Sequence, residues 1–350
     1  MKDEKLKKDE RLRKDEKLKT LLVYEKEGES KEYKEHEHLL EHEHLLKAIE
    51  KISSKEMDAV LRIQSCALKT IHDFMYEKKV LQLMPVILSP ITDPLCHNVY
   101  DASISYCGQE LQLTKSMILH KQMALISPER KAIYIVSPNV RLEKEDSGKS
   151  GRHLIEFSQV DFEFKDAKKE NVFEFMEELM VRIISRVKEE CKDDLKFLGR
   201  ELRVPKTPFK RFSTKDSKGL EIREFEEMLS AKAAEPFWLL DHEREFYDKE
   251  DPEKPRTYLN YDLIYPEGFG EGLSGGEREH EYKIILERMA RAGTKPEAYK
   301  EYLEMAKHGL LHKTAGAGFG VERLVRFLTG KSHVADVALF GKTPGERIVF

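Results

Sequence analysis

Three alternating glycines followed by an arginine stand out near the end of the sequence. The segment AGAGFGVERLVRFLTG, residues 315–330, contains Gly316, Gly318 and Gly320, and then Arg323 at the start of an amphipathic helical pattern. Alternate residues of a strand share a face, so these glycines would leave one face without side chains. A flat ring can lie against such a face, and a guanidinium beside it can stack on the ring or hold a phosphate. The segment therefore predicts a nucleotide-base platform or, alternatively, a tight strand–helix junction; it is neither a P-loop nor a Rossmann fingerprint.

A second segment, residues 136–164, predicts a β-hairpin with one polar face. Its first strand carries Arg141 and Glu143 on one side, and its return strand carries Phe157 and Gln159 on one side. A solvated sheet face would show the same alternation of polar and apolar residues. One phenylalanine among charges is unusual for a solvated face, so the pattern favours a binding face.

A third segment, residues 260–282, combines carboxylates with an arginine. Asp262 ends a predicted strand, Glu271 lies in a glycine-rich loop, and SGGE at 274–277 has capping-box spacing that predicts a helix with Arg278 in its first turn. Carboxylates are ligands that Mg²⁺ uses beside a nucleotide's phosphates. An arginine in a first turn opposes the helix dipole, so a bound carboxylate would explain it. A polar loop is the alternative, but the three segments together indicate an ATP-dependent site that activates an acid.

The hydrophobic pattern predicts the elements that hold these segments. Strands follow one another through short connections, with helices grouped between them, which is typical of an α+β domain on an antiparallel sheet. The predicted helices cover 56–79, 115–126, 170–191, 277–291 and 296–307, and the predicted strands cover 104–113, 131–143, 153–164, 236–240 and 257–265.

Composition places the chain among globular proteins with a highly charged surface. Of its 350 residues, 40% are apolar and 36% charged, with a net charge of −4. The four cysteines show no metal-ligand spacing, and no apolar run is long enough to span a membrane, so we expect a cytoplasmic protein. Charged six-residue repeats set residues 1–52 apart as an extension, helical or disordered, from a catalytic domain at 53–350. Its mildly basic start could contact nucleic acid, but a solvated arm is favoured.

The quoted segments resemble the motifs of class II aminoacyl-tRNA synthetases of the aspartyl/asparaginyl subgroup. The resemblance covers about residues 55–350 and rests on KKVLQLMPVI for motif 1, VRLE and RHLIEF for motif 2, GAGFGVERL for motif 3, and the subgroup segments TKSMILHKQ and EGLSGGER. It implies a six-stranded antiparallel sheet flanked by helices. It also implies a homodimer whose interface includes Pro85 of motif 1.

The resemblance implies a set of nucleotide-binding residues. Arg141 would bind the α-phosphate, Glu143 would face the adenine side, and His153 would approach the γ-phosphate. Phe157 and Arg323 would sandwich the adenine ring. ATP is therefore the implied cofactor, with Arg141 and Arg323 as the catalytic pair.

The same resemblance implies metal and amino-acid ligands. Glu271 and Asp262 would hold Mg²⁺, with Ser274 beside them. Lys121 and Arg278 would bind a carboxylate of the amino acid. Ser116 and Gln159 complete the implied substrate-binding set, Gln159 being a candidate partner for the ammonium group along with Asp161.

Lys121 and the length of the chain shape the functional hypothesis. A lysine at position 121 is similar to aspartate-specific members of the subgroup, and a cation suits aspartate's second carboxylate. Only about 55 charged residues precede motif 1, too few for an OB-fold barrel that reads an anticodon. The sequence is therefore interpreted as a relative of asparagine synthetase A, an AMP-forming aspartate–ammonia ligase that makes asparagine from aspartate and ammonia through a β-aspartyl-adenylate. The alternative is a tRNA synthetase paralogue that activates aspartate for a tRNA or another acceptor, with nucleic acid considered unlikely except through the basic arm.

Overall fold

The computed structural model describes residues 43–350. The chain divides into two units, Met1–Glu50 with Val349 and Lys51–Ile348 with Phe350. Of the first unit, only 43–50 and Val349 are described, and 43–52 are helical. The predicted extension at 1–52 lies mostly outside the described residues, and that domain division stays a prediction. Within 43–350, no helix is both long and apolar enough to cross a membrane.

The second unit is built on an eight-stranded sheet. Its strand order is β1-β5-β6-β11-β10-β9-β8-β7, and a separate antiparallel sheet has the order β2-β4-β3. The strands are β1 Leu81–Gln82, β2 Leu88–Ser89, β3 Ser103–Tyr106, β4 Gln109–Leu113, β5 Ala132–Val140, β6 Glu156–Lys165, β7 Lys210–Ser213, β8 Phe237–Leu240, β9 Asn260–Tyr265, β10 Gly270–Glu277 and β11 Thr314–Gly320.

Six central strands, from β5 to β8 in that order, are antiparallel, as predicted. The two additional strands pair in parallel at the edges, β1 with β5 and β7 with β8. Each of them is short, with two residues in β1 and four in β7, and β7 produced no strand signal in the sequence. The predicted α+β architecture on a central antiparallel sheet is confirmed, with a sheet two strands wider than expected.

Helices cover both faces of the sheet. They are α1 Lys55–Glu77, α2 Ile118–Ala124, α3 Lys169–Glu190, α4 Lys192–Phe197, α5 Ile222–Lys232, α6 Tyr282–Ala292, α7 Lys300–Lys307 and α8 Val321–Thr329. The first of these begins because the Ser54 hydroxyl caps its N-terminus by accepting a hydrogen bond from the Met57 amide at 3.0 Å.

The largest core lies between the sheet and helices α1, α3 and α8. Val160 and Phe162 of β6, and Ala315 and Ala317 of β11, point into it and are almost fully buried. The residues that alternate with them point to the opposite face. That opposite face carries the polar side chains of the sheet and is where the candidate site lies.

One predicted helix start is wrong. Residues 274–277 belong to β10, which pairs with both β9 and β11, and the helix begins only at Tyr282. Gly275 shows why, because a Cβ there would meet the Gly316 carbonyl and the Ala317 side chain of β11. The glycines allow close strand packing, so the capping-box spacing was coincidental.

Candidate active site

A cavity of about 310 Å³ opens on the polar face of the sheet. Every predicted site residue except Asp262 lines it, and Asp262 is buried directly behind its wall. The lining residues that the sequence had singled out are Ser116, Lys121, Arg141, Glu143, His153, Phe157, Gln159, Glu271, Ser274, Arg278 and Arg323. The assigned roles of these residues stay predictions.

The glycines of β11 make room for side chains of β6. A Cβ on Gly316 would collide with the Glu163 carboxylate and the Phe162 carbonyl oxygen. A Cβ on Gly318 would lie 2.6 Å from both the Asp161 carboxylate and the amide nitrogen of Gln159. Gly316 is therefore covered by polar side chains, whereas Gly318 and Gly320 line the cavity.

Arg141 and Phe157 meet at one end of the cavity. Arg141 follows the last residue of β5, and its guanidinium carbon lies 5.1 Å from the centre of the Phe157 ring at the start of β6. The Arg141 Nε donates to the Lys115 carbonyl at 3.0 Å. The predicted adenine sandwich of Phe157 and Arg323 stays a prediction, and in this structure the guanidinium over the Phe157 ring belongs to Arg141.

Arg323 instead pairs with Glu271 across the cavity. Its Nη1 lies 3.1 Å from Glu271 Oε1, and its Nε donates to the Arg152 carbonyl at 3.2 Å. Burial alone would raise the pKa of Glu271, but the nearby guanidinium groups of Arg323, Arg244 and Arg152 lower it to about 2. Glu271 is thus a carboxylate at any physiological pH.

Two histidines near Glu143 have opposite charge preferences. Hydrogen bonds to Cys96 and Glu143 raise the pKa of His97 to about 9, and its Nε2 lies 3.0 Å from the Glu143 carboxylate. Burial, together with the positive charge of Arg323, lowers the pKa of His153 to about 4. At neutral pH, His97 is therefore a cation and His153 is a neutral hydrogen-bonding group.

Lys121 and Arg278 lie at the other end of the cavity among carboxylates. The Lys121 ammonium is 2.9 Å from Asp161 Oδ1 and 3.6 Å from Glu163 Oε2. Arg278 contacts Asp248 at 2.8 Å and Glu163 at 3.3 Å. Both cations are almost completely buried, and each already shares its charge with two carboxylates.

Three acidic side chains of this end were missed in the sequence. Asp93, Glu245 and Asp248 line the cavity, and Asp93 accepts hydrogen bonds from Ser116 at 2.8 Å and from Tyr247 at 3.1 Å. Burial and the charges of Asp93 and Asp248 raise the pKa of Glu245 to about 7. The only sequence signal was the acidic run around 245–251, which alone resembles a solvated loop.

The expected metal ligands are already engaged by arginines. Asp262 accepts a hydrogen bond from Arg244, which also donates to the Ser274 hydroxyl, while Glu271 pairs with Arg323. In residues 43–350, no three His, Cys, Asp or Glu side chains are grouped so that they could hold a metal ion. These residues do not fit an open magnesium site.

Comparisons with known proteins agree on one family. The family described as tRNA synthetases class II (D, K and N) matches residues 40–344. The aspartate–tRNA(Asp/Asn) ligase of Sulfurisphaera tokodaii is 30% identical over 304 residues, covering 82% of this chain and 68% of that protein. The asparagine–tRNA ligase of Thermococcus kodakarensis is 28% identical over 313 residues, covering 84% and 71%.

Solved structures agree with the fold. The asparaginyl-tRNA synthetase of Pyrococcus horikoshii, complexed with asparaginyl-adenylate, superposes with a TM-score of 0.76 at 24% identity and covers 85% of this chain and 71% of that chain. The asparaginyl-tRNA synthetase of Entamoeba histolytica, also with asparaginyl-adenylate, gives a TM-score of 0.74 at 21% identity, covering 92% and 73%.

These relatives correct the functional hypothesis drawn from the sequence. They are tRNA ligases, so the interpretation as an ammonia-dependent asparagine synthetase is wrong, as are ammonia as a substrate and the low expectation for nucleic acid. That interpretation relied on the short segment before motif 1, which is weaker evidence than the catalytic core itself. The alternative, a tRNA synthetase relative, agrees better with the comparisons.

The resemblance seen in the motifs is therefore confirmed across most of the chain. The enzymes of this family are ligases that use ATP. With the family profile spanning residues 40–344 and the sheet and helices arranged as in these relatives, the chain belongs to the class II tRNA synthetases of the D, K and N group.

Proposed function

We propose that the protein activates aspartate with ATP and transfers the aspartyl group to a tRNA. The observation that carries this proposal is the division of one cavity into two chemically different ends. Arg141, Phe157 and Arg323 form an end suited to a nucleotide, and Lys121 and Arg278 form an end suited to an acidic amino acid. The relatives' names supply the tRNA acceptor.

At the nucleotide end, arginines would neutralise the phosphates. Arg141 would bind the α-phosphate, so that negative charge developing during attack by the carboxylate meets a fixed guanidinium. Phe157 and Arg323 would hold the adenine ring. Neutral His153 would donate a hydrogen bond to the terminal phosphates rather than add a charge. Glu143, held by His97, would face the exocyclic amine of the base.

At the amino-acid end, the proposed contacts are ionic. Arg278 and Lys121 would bind the side-chain carboxylate, leaving the α-carboxylate directed toward Arg141. The acidic trio of Asp93, Glu245 and Asp248 offers partners for the ammonium group. Holding both reactants in this geometry supplies much of the rate, because the reaction is a displacement between aligned groups.

Asparagine is the second candidate substrate, favoured by one observation. The charges of Lys121 and Arg278 are already shared with Asp161, Glu163 and Asp248. The neutral amide of asparagine would meet cations whose charges are already balanced by these carboxylates. The carboxylate of aspartate would have to compete with them for Lys121 and Arg278. The two amino acids must therefore be compared directly.

A divalent cation would enter with the phosphates of ATP. The residues that the resemblance implies as its ligands are paired with Arg244 and Arg323, so we assign no step to a metal held by the protein.

The predicted homodimer also belongs to this proposal. Around β1, apolar side chains are exposed, including Tyr76 at 86%, Met84 at 82% and Ile87 at 55%. An exposed apolar strip of this kind is typical of a protein interface, and Pro85 lies within it. We propose that a second copy of the chain covers this strip.

The experiment that tests the function measures amino-acid-dependent exchange of pyrophosphate into ATP, first with aspartate and then with asparagine. Charging of total tRNA with the better substrate follows. We expect exchange with aspartate and formation of aspartyl-tRNA. Exchange only with asparagine would move the assignment to the second candidate, and no exchange with either would refute the adenylate-forming function.

A further inference from the structure

Arg244 bridges two side chains on the wall of the cavity. Its guanidinium donates hydrogen bonds to the Ser274 hydroxyl and to the Asp262 carboxylate. It is supplied by the irregular segment between β8 and β9, so it enters from outside the three motifs. It lines the cavity together with Glu271 and Ser274.

Asp262 depends on this contact. Its side chain is 3% exposed, its Oδ2 lies 3.2 Å from His242 Nε2, and its Oδ1 has no hydrogen-bond partner among the described residues. Burial makes an isolated carboxylate costly, and a paired guanidinium offsets that cost. His242 Nε2 also lies 3.1 Å from the Leu239 carbonyl oxygen, so Arg244 is the contact that supplies a fixed positive charge to Asp262.

We infer that Arg244 is a built-in cation that occupies the divalent-cation position at Asp262 and Ser274, so that the nucleotide-free protein takes up no divalent metal there. A guanidinium satisfies the carboxylate and the hydroxyl with two fixed donors. A second, divalent charge a few ångströms away would be repelled by Arg244 and also by Arg323 on Glu271. The wall of the cavity formed by Arg244, Ser274 and Glu271 would face the phosphates of ATP. The inference rests on the proposed function only for this assignment.

The test measures Mn²⁺ binding to the nucleotide-free protein by the loss of the free-ion electron paramagnetic resonance signal. Arg244→Met removes the cation and leaves Asp262, Glu271 and Ser274 in place. We expect this variant to bind one Mn²⁺ at least about tenfold more tightly than the wild type, because the repelling charge is gone. In the double variant Arg244→Met/Asp262→Asn, this gain should disappear.

Arg152→Met is the matched control. Arg152 also lines the cavity and pairs with Glu226 at 2.7 Å, but it does not contact Asp262. Its removal should raise the affinity for Mn²⁺ much less than Arg244→Met does, because Arg152 acts on Glu271 without contacting Asp262 or Ser274. Equal gains in Mn²⁺ affinity for Arg152→Met and Arg244→Met would mean that the loss of any nearby positive charge has the same effect. That result would overturn the inference.

Removal of Arg244 leaves a buried carboxylate unpaired, so the single variant is also measured by thermal unfolding with and without Mn²⁺. If it is destabilised, Mn²⁺ should raise its unfolding midpoint, while the wild type and the double variant should show no such rise. The inference would be overturned if Mn²⁺ failed to raise the unfolding midpoint of a destabilised Arg244→Met variant. It would also be overturned if the wild type already bound one Mn²⁺ and the Asp262→Asn substitution abolished that binding. Since neither measurement uses ATP or an amino acid, a failure here is distinct from a failure of the proposed activity.

Discussion

Arg141 and Arg323 reach the cavity from different motifs and are held differently. Arg141 stacks on Phe157 and donates to a backbone carbonyl, whereas Arg323 is anchored by an ion pair with Glu271. A phosphate can therefore approach Arg141 without displacing a carboxylate. Arg323, in contrast, must break its ion pair with Glu271, or divide its hydrogen bonds between Glu271 and the nucleotide, when the nucleotide binds.

Replacement of Arg141 or Arg323 by alanine should abolish most adenylate formation. Arg141→Ala loses a preorganised donor to a developing charge, which lowers the rate by about 10²–10³-fold, and Arg323→Ala loses the group that holds the adenine ring. Pyrophosphate exchange at saturating amino acid measures this loss, with circular dichroism to show an intact fold. Arg223→Ala, at an exposed residue that pairs with Glu227, is the control and should be silent. Full exchange by either active-site variant would refute the site assignment.

Lys121→Met should destabilise the protein as well as impair binding. It leaves Asp161 and Glu163 buried without their ammonium partner, which typically costs about 3–5 kcal/mol. The free energy of unfolding in urea measures this. Lys69→Met, which removes an exposed i,i+4 pair with Asp73, should change it by less than about 0.5 kcal/mol. Similar values for the two variants would show that Lys121 is not the partner of buried charges.

His153 should weaken the fold in mild acid. Its pKa is about 4 in the folded protein against 6.5 as the ordinary value, so between these values only the unfolded state takes up the proton. The contribution of His153 to the free energy of unfolding is therefore close to zero above pH 6.5. It becomes destabilising as the pH falls and levels off below about pH 4. His153→Asn should lose less stability than the wild type between about pH 7.5 and 5, as measured by urea unfolding. His308→Asn, at an exposed position, should follow the wild type.

At the scale of elements, β11 determines how closely the central strands pack. Gly316 lies opposite Glu163 of β6 and Gly276 of β10, with no space for a Cβ. Gly320, at the end of the same strand, is different, because a Cβ there would make only ordinary contact with Arg323, at 3.6 Å or more. The three glycines of one motif therefore have different structural roles.

Gly316→Ala should destabilise the protein by about 1–3 kcal/mol, because the Phe162 backbone cannot move away from the added methyl group. Gly320→Ala is the matched control, with a change below about 1 kcal/mol, since its backbone angles suit alanine. Urea unfolding compares the two variants. Equal effects would mean that close packing at Gly316 is not what requires glycine.

At the scale of the whole molecule, the exposed strip around β1 should set the oligomeric state. Met84→Asp places a charge in the strip and should convert a dimer into a monomer, as measured by size-exclusion chromatography with light scattering. Leu310→Asp, at another exposed apolar position, should leave the dimer intact. A wild-type protein that stays monomeric at micromolar concentration would contradict the homodimer.

Much of the fold and of the candidate site could be predicted because its signals are local. The α1 and α3 helices have long apolar stripes, and the strands of motif 2 alternate clearly. The prediction failed at β10, where Ser274 and Glu277 have capping-box spacing by coincidence. The two glycines between them are needed for strand packing. It also missed β7 and α5, whose short patterns depend on neighbours distant in the chain.

The amino-acid sequence was sufficient to identify the family, the six antiparallel central strands and eleven of the residues that line the cavity. Motif residues alternate on strands, and the two-residue period sets which face each of them occupies. The pairing of their charges, in contrast, depends on tertiary contacts. Arg244, Asp93 and Glu245 come from irregular segments, and their contacts with Asp262, Ser116 and the cavity join residues far apart in the chain. Ion pairs depend on distance and burial, which no local pattern encodes.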